Sequence, residues 1–224
     1  MPGTLYLVAT PIGNLEDLSS RAERTLRECD LVLAEDTRTT RTLFKRFGVT
    51  TALSSFHEFS DPRRVQEVIT RLADGADIAL VTDAGTPGIS DPGAHLVTEA
   101  VRRLGEEVRI VPIPGPCAAT SALSASGFPA QRFVFLGFLP PKKGRADALG
   151  KATGSIETTV LYESPHRIHR TLKDLAARAP DREAVVCREL TKTHESIYRG
   201  TLTALSQTAI PAKGEFVIVL GPEK

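Results

Sequence analysis

ADIALVTDAGTPGISDPG, residues 76–93, contains a strand, a turn and the start of a helix in a single stretch. From Ala76 to Gly85 the run is apolar without the alternation of a half-solvated strand, so it reads as a strand buried on both faces. Gly85, Gly88 and Gly93 permit positive φ and close backbone approach, while Pro87 and Pro92 stiffen the loop. Asp91-Pro92 has the form of an N-cap followed by a first helical position, and predicts a helix running to about Leu104. A buried strand that passes through a loop into a helix is the repeating unit of a parallel sheet covered by helices.

The same alternation extends outward. TLYLVAT (4–10) and DLVLAED (30–36) read as strands, and VRIVPI (108–113) as another. Between them a helix is expected over Leu15–Cys29, with Leu18, Ala22 and Leu26 on one face. Further helices are expected over Thr39–Phe47, stopped by Gly48, and over Pro62–Ala73, with Val65, Val68, Ile69 and Leu72 aligned. Beyond Pro114 the texture changes. RFVFLGFLPPKKGR, TTVLYESPHR, EAVVCRELTKTHE and EFVIVLG are strands punctuated by Gly and Pro, with one helix from His166 to about Arg178. The expectation is α/β in two domains. Residues 1–115 carry a mostly parallel sheet, and residues 116–224 carry a mixed sheet with helices.

Composition narrows the class. The chain has 224 residues, 41% of them hydrophobic and 25% charged, which excludes a disordered chain, a collagen and a coiled coil. Three scattered cysteines without CxxC or His partners disfavour a disulfide framework or a structural metal site, and no metal is expected. No apolar run reaches membrane-span length, and no basic segment leads into an apolar one at the start, so a cytoplasmic protein is expected. The net charge of +1 hides an asymmetry: residues 1–112 hold 13 Lys and Arg against 17 Asp and Glu, whereas residues 113–224 hold 15 against 10. A basic second half either faces a polyanion or reflects ordinary variation between two surfaces.

Ligands of parallel α/β sheets bind beyond the C-terminal ends of the strands, and here those loops are the unusual parts of the sequence. TPIGN (10–14) lacks both GxGxxG and GK[ST], which disfavours a dinucleotide or Walker site. EDTRTTR (35–41) sets Glu35 and Asp36 beside Arg38; the carboxylates either supply a base or pair with the arginine, and Thr37, Thr39 and Thr40 either act there or cap the helix. Asp83 ends a strand, and Ser90 with Asp91 precedes a helix start able to hold an anion. PGPCAATSALSASG (114–127) is rich in small residues, which suit a flat ligand or an interdomain joint. Cys117 has no neighbouring His or Lys to activate it. Lys142, Lys143, Arg145, Arg167, Arg188 and Lys192 fit phosphate contacts, or form a solvated face. His166 is either a base, an RNA donor or structural.

Taken together, VATPIGNLEDLSSRAERTL, AEDTRTTRTL, LVTDAGTPGISDPG, PIPGPCAATSALSASGFP, FLGFLPPKKGR, YESPHRI and RELTKTHE resemble the ribosomal RNA small subunit methyltransferase I family. That family is part of the tetrapyrrole-methylase-like class of S-adenosylmethionine (SAM) methyltransferases. The motifs run in order over nearly the whole chain. Many members continue into a further helical segment past the stretch matching GEFVIVLGPEK. The resemblance implies two α/β domains with SAM in the cleft between them, a homodimer, and 2′-O-methylation of a cytidine in the decoding region of 16S small-subunit rRNA, as naked RNA or assembled subunit. It places the cofactor on Pro11, Ile12, Gly13, Asp83, Ala84, Gly85, Thr86, Ser90, Pro114, Gly115, Cys117 and Ala118, with Leu161 and Tyr162 from the second half. Glu35, Asp36, Glu163 and His166 stand as candidate bases, with Arg38 and Arg167 orienting carboxylate or phosphate. Lys142, Lys143, Arg145, Arg188 and Lys192 are the candidate RNA contacts. Tetrapyrrole C-methyltransferases of the class carry a GxGPGD-type first loop where this chain has TPIGN. That departure favours the rRNA branch over the alternative, methylation of a tetrapyrrole or other small molecule.

Overall fold

Two compact units, Met1–Cys117 and Ala118–Lys224, divide the chain. The computed structural model describes residues 1–57 and 60–223; Lys224, which closes the GEFVIVLGPEK stretch, lies outside them. Among the described residues no helix is long and apolar enough to cross a membrane.

The first unit is built on strands β1 (Thr4–Val8), β2 (Leu31–Ala34), β3 (Leu53–Ser55), β4 (Ile78–Val81) and β5 (Arg109–Ile113), in the order β3-β2-β4-β1-β5. Every pairing is parallel. β2 and β4 are buried at every position, as their unbroken apolar runs require. Alternate residues of β2 feed opposite layers: Leu31 and Leu33 join a cluster with Val68, Leu72 and Leu96, while Val32 and Ala34 join one with Ala22, Leu26 and Phe44. The sheet is therefore packed on one face by α3 (Pro62–Ala73) and α4 (Ala94–Leu104), and on the other by α1 (Ser20–Glu28) and α2 (Thr37–Phe47).

α3 shows how the sequence produces such a helix. The Asp61 side chain accepts from the Arg63 amide at 2.7 Å, and Pro62 occupies the first turn. Val65, Val68, Ile69 and Leu72 then fall on the buried face, each contributing roughly 1.5–3 kcal/mol by leaving water.

Two local expectations change, and one strand was not anticipated. Leu15–Cys29 is not one helix: a 3₁₀ turn at Leu15–Asp17 ends at Leu18, and Ser19 caps α1 by accepting from the Ala22 amide. Asp91 does not cap α4. The cap position is Gly93, at φ 142° and with no side-chain cap, because positive φ at Gly88 and Ser90 keeps the chain out of a helix until that glycine is passed. The short edge strand β3 has too few residues to show a period.

The second unit holds α5 (Ala118–Ser126), β6 (Phe133–Phe138), α6 (Arg145–Thr153), β7 (Thr158–Glu163), α7 (Ile168–Ala176), β8 (Glu183–Arg188), β9 (Ser196–Thr201), α8 (Leu202–Gln207) and β10 (Phe216–Leu220). Strand order is β6-β7-β10-β8-β9. β6 and β7 run parallel and the remaining neighbours antiparallel, so the sheet is mixed. Leu161, Ile168, Leu172, Leu175, Val186 and Ile218 form its core. The small-residue stretch after Pro114 forms α5, where serine and alanine leave the period too weak to announce a helix.

Candidate functional site

The parallel sheet of the first unit delivers β1, β2 and β4 to one edge. There a cleft of about 310 Å³ is lined by Thr10, Pro11, Gly13, Thr39, Thr40 and Asp83, among others. That volume is at the lower end of small-molecule sites. Two backbone bonds fix its rim: the Thr10 amide donates to the Gly85 carbonyl at 2.9 Å, and the Gly85 amide returns to Thr10 at 3.0 Å. Gly85 adopts φ 86°, open to glycine without strain. The Thr86 hydroxyl donates to the Pro116 carbonyl at 3.0 Å, tying this loop to the turn that carries Pro114, Gly115 and Cys117. A Cβ at Gly115 would stand 2.9 Å from the Ala9 Cβ, so the turn after β5 rests directly on the end of β1. Ser90 holds φ 64° without being glycine, a strain that accumulates where ligands are gripped.

One observation bears on what the cleft holds. The Thr82 hydroxyl is buried and has no hydrogen-bond partner among the described residues, although Thr82 lines the cleft. An unpaired buried hydroxyl costs about 1–3 kcal/mol, and a polar ligand group would remove that cost. The residues thus fit a cofactor with polar edges, which the Pro11–Gly13 turn, Thr82 and Asp83 would hold.

Of the expected cofactor residues, Pro11, Gly13 and Asp83 line this cleft. Ile12 is buried beneath it, with its Cγ2 3.6 Å from a Cβ built on Gly85. Ala84, Gly85, Thr86, Ser90, Pro114, Gly115 and Cys117 sit on the adjoining loops of the first unit, at the same sheet edge. Ala118, Leu161 and Tyr162 lie in the second unit. There Leu161 is wholly buried in the core. The Tyr162 hydroxyl accepts from the Ala119 amide at 3.1 Å, at the start of α5, and its ring meets Phe135 and Phe138 edge-on.

The carboxylates divide into different roles. Asp36 caps α2 by accepting from the Arg38 amide at 2.7 Å, and it pairs with the Arg38 guanidinium at 2.6 Å. The threonines beside it therefore do not provide that cap. The guanidinium lowers the Asp36 pKa to about 2, which makes it a poor proton acceptor. The Asp36 amide donates to Asp83 Oδ1 at 3.0 Å, joining the ends of β2 and β4. Glu35 is half-buried beside them.

In the second unit Glu163 is inside the protein. Its oxygens take the Ser164 amide at 2.7 Å, the Thr171 hydroxyl at 2.6 Å and Arg167 Nε at 2.8 Å. With its side chain fully buried and its acceptors engaged, Glu163 positions Arg167 and is not a base for a solvent-facing substrate. Arg167 also donates to the Leu139 carbonyl at 2.9 Å, while His166 is exposed. The basic candidates separate too. Lys142 and Lys143 are exposed. Arg145 is 6% exposed, against Asp174 and Thr171, and Arg188 is 8% exposed, donating to the Lys213 and His194 carbonyls. Lys192 bridges Glu189 and Glu215 at 2.9 Å each. Arg188 and Lys192 thus brace their own loop, whose Glu189 and Thr191 hold positive φ.

A model of tetrapyrrole (corrin/porphyrin) methylases matches residues 4–206. The ribosomal RNA small subunit methyltransferase I of Halalkalibacterium halodurans is 48% identical over 221 residues, 97% of this chain and 75% of that protein. Its counterpart in Thermotoga maritima is 44% identical over 220 residues, covering 97% and 98%. The chain belongs to the ribosomal RNA small subunit methyltransferase I family of tetrapyrrole methylases. Solved structures share the family's fold at low identity. A diphthine synthase superposes with a TM-score of 0.75 at 18% identity, over 98% of this chain and 90% of that one. A Thermus thermophilus uroporphyrin-III-C-methyltransferase gives 0.66 at 21%, over 98% and 94%.

For this family member, Thr39, Thr40, Thr42 and Leu43 of α2 line the cleft although the sequence marked no ligand role for Thr42 or Leu43. The available signal was their helical spacing immediately after a strand-end loop. Thr82 was hidden in the same way, as one threonine within a loop dominated by Gly, Pro and Asp.

Proposed function

We propose that this chain transfers a methyl group from SAM to the 2′-oxygen of a cytidine in the decoding region of small-subunit rRNA, acting in the cytoplasm as a homodimer. The observation that carries the reading is the likeness, at 44–48% identity and over 97% of the chain, to proteins named for methylation of small-subunit rRNA. The strand-end cleft with its unpaired Thr82 hydroxyl is the supporting feature. When bound, SAM supplies an electrophilic methyl on a sulfonium. The chain's own residues bind and orient: the Pro11–Gly13 turn and Asp83 shape the cleft, and Thr82 offers it a hydroxyl. Asp36 is neutralised by Arg38 and Glu163 is enclosed, so neither takes the ribose proton, which passes to solvent water as the O–CH3 bond forms and the methyl–sulfur bond breaks. Alignment of the oxygen with the methyl then carries the reaction, and such positioning is worth up to about 7–11 kcal/mol.

The test is methyl transfer from tritiated SAM to small ribosomal subunits lacking the modification, with uroporphyrinogen offered in parallel. Label in rRNA alone is the expected result. Label only in the tetrapyrrole, or in neither acceptor, contradicts the reading.

A further inference from the structure

A second cleft, of about 830 Å³, lies within the second unit between the loop that precedes α6 and the exposed side of α7. Its lining includes Lys142, Arg145, Arg170, Asp174 and Arg178, a basic set with a single carboxylate. Arg145 is 6% exposed. Asp174 Oδ2 takes its Nη2 at 3.0 Å and its Nε at 3.3 Å, and the Thr171 hydroxyl takes Nη2 at 2.9 Å. Thr171 is anchored in turn by Glu163 at 2.6 Å. Arg145 Nη1 is buried and has no hydrogen-bond partner among the described residues. The guanidinium is thus fixed in orientation with a donor unused. Asp174 is already shared between Arg145 and Arg170, whose Nε is 3.8 Å away. Among the described residues Lys142 and Arg178 have no carboxylate within ion-pair distance.

We infer that this cleft binds a backbone phosphate of the RNA substrate, at a place separate from the strand-end cleft. Fixed guanidinium donors match phosphate oxygens, and excess positive charge rewards a polyanion through counterion release. Among the described residues no aromatic ring lines the cleft, so they offer bases nothing to stack on and grip backbone rather than sequence. The assignment rests on the rRNA reading above.

The experiment uses the full chain and the double variant K142A/R178A, which changes two exposed side chains and leaves Arg145 intact. The probe is a labelled 20-nucleotide single-stranded RNA, titrated at several salt concentrations, with inorganic phosphate and SAM titrated separately. The expected result is RNA affinity about 10-fold weaker at 0.1 M salt and a log–log salt slope shallower by about 1.4, for two contacts at about 0.7 each. SAM affinity is expected to be unchanged, and K142R/R178K is expected to restore RNA binding. Unchanged RNA affinity and slope overturn the proposal. Loss of phosphate binding with RNA binding unchanged overturns the RNA assignment and gives the cleft to a free anion. If the wild type binds RNA through this cleft yet methylates no subunit, the rRNA reading has failed and the phosphate site stands.

Discussion

Asp36 and Glu163 began as equivalent candidate bases, and their surroundings separate them. Asp36 faces a guanidinium in partial contact with water; its folded carboxyl titrates near 2 rather than 3.8. Because that pKa is lowered, the pairing contributes stability above about pH 4, and the contribution is lost as pH falls toward 2. Asp36→Asn keeps a capping oxygen and loses the charge. Thermal unfolding followed against pH should therefore show the variant melting below wild type at pH 7, with the gap closing between pH 4 and 2 as the wild type falls more steeply; superimposable acid limbs would refute this. Glu163 has no water to fall back on. Arg167→Ala leaves its carboxylate buried with one donor fewer, so urea unfolding should show a loss of about 3 kcal/mol. Adding Glu163→Gln to that variant should recover part of it. A single-variant loss below about 0.5 kcal/mol would contradict the role. In the sequence both residues were simply carboxylates next to arginines. What separates them is burial, which depends on β7 and α7 meeting in space.

Elements were legible where a period ran long enough. α3 occupies Pro62–Ala73 as expected because a cap, a proline and four apolar positions all agree. α4 began late because local glycine conformation overrode an Asp-Pro signal. α6, α8 and β9 escaped because they are short, or polar on the exposed side, and their register comes from the mixed sheet. Glycine substitutions test this reading of local backbone. Gly93→Ala forces φ 142° on a residue with a Cβ, which would also sit 3.1 Å from Leu80 Cδ2; a loss of about 2 kcal/mol is expected. Gly150→Ala lies in α6, where a Cβ meets nothing within 4 Å. There the same change should stabilise by about 0.5–1 kcal/mol. Chemical denaturation of both variants checks the pair, and equal signs would contradict the account.

At the scale of the whole molecule, the two units carry different chemistry. Through Cys117 the chain has four more acidic than basic residues, and from Ala118 it has five more basic than acidic ones. The strand-end cleft belongs to the acidic unit, and the larger basic cleft to the other. The order of motifs along the sequence conveyed the family and the parallel-then-mixed sheets. It marked Lys142 and Arg145 but not Arg170 and Arg178, because the cleft gathers a loop, two helices and the turn after α7 over 36 positions, Lys142 to Arg178. The central claim is a methyl group on a ribose oxygen, and that product has a chemical signature. Alkaline cleavage of RNA needs a free 2′-hydroxyl, so a 2′-O-methylated linkage survives it. The most direct measurement is alkaline hydrolysis of small-subunit rRNA treated with this protein and SAM, followed by mass spectrometry of the surviving dinucleotide. The account predicts one resistant linkage 3′ to a methylated cytidine in the decoding region. A fully cleaved ladder, or a methyl group found on a base, would contradict it.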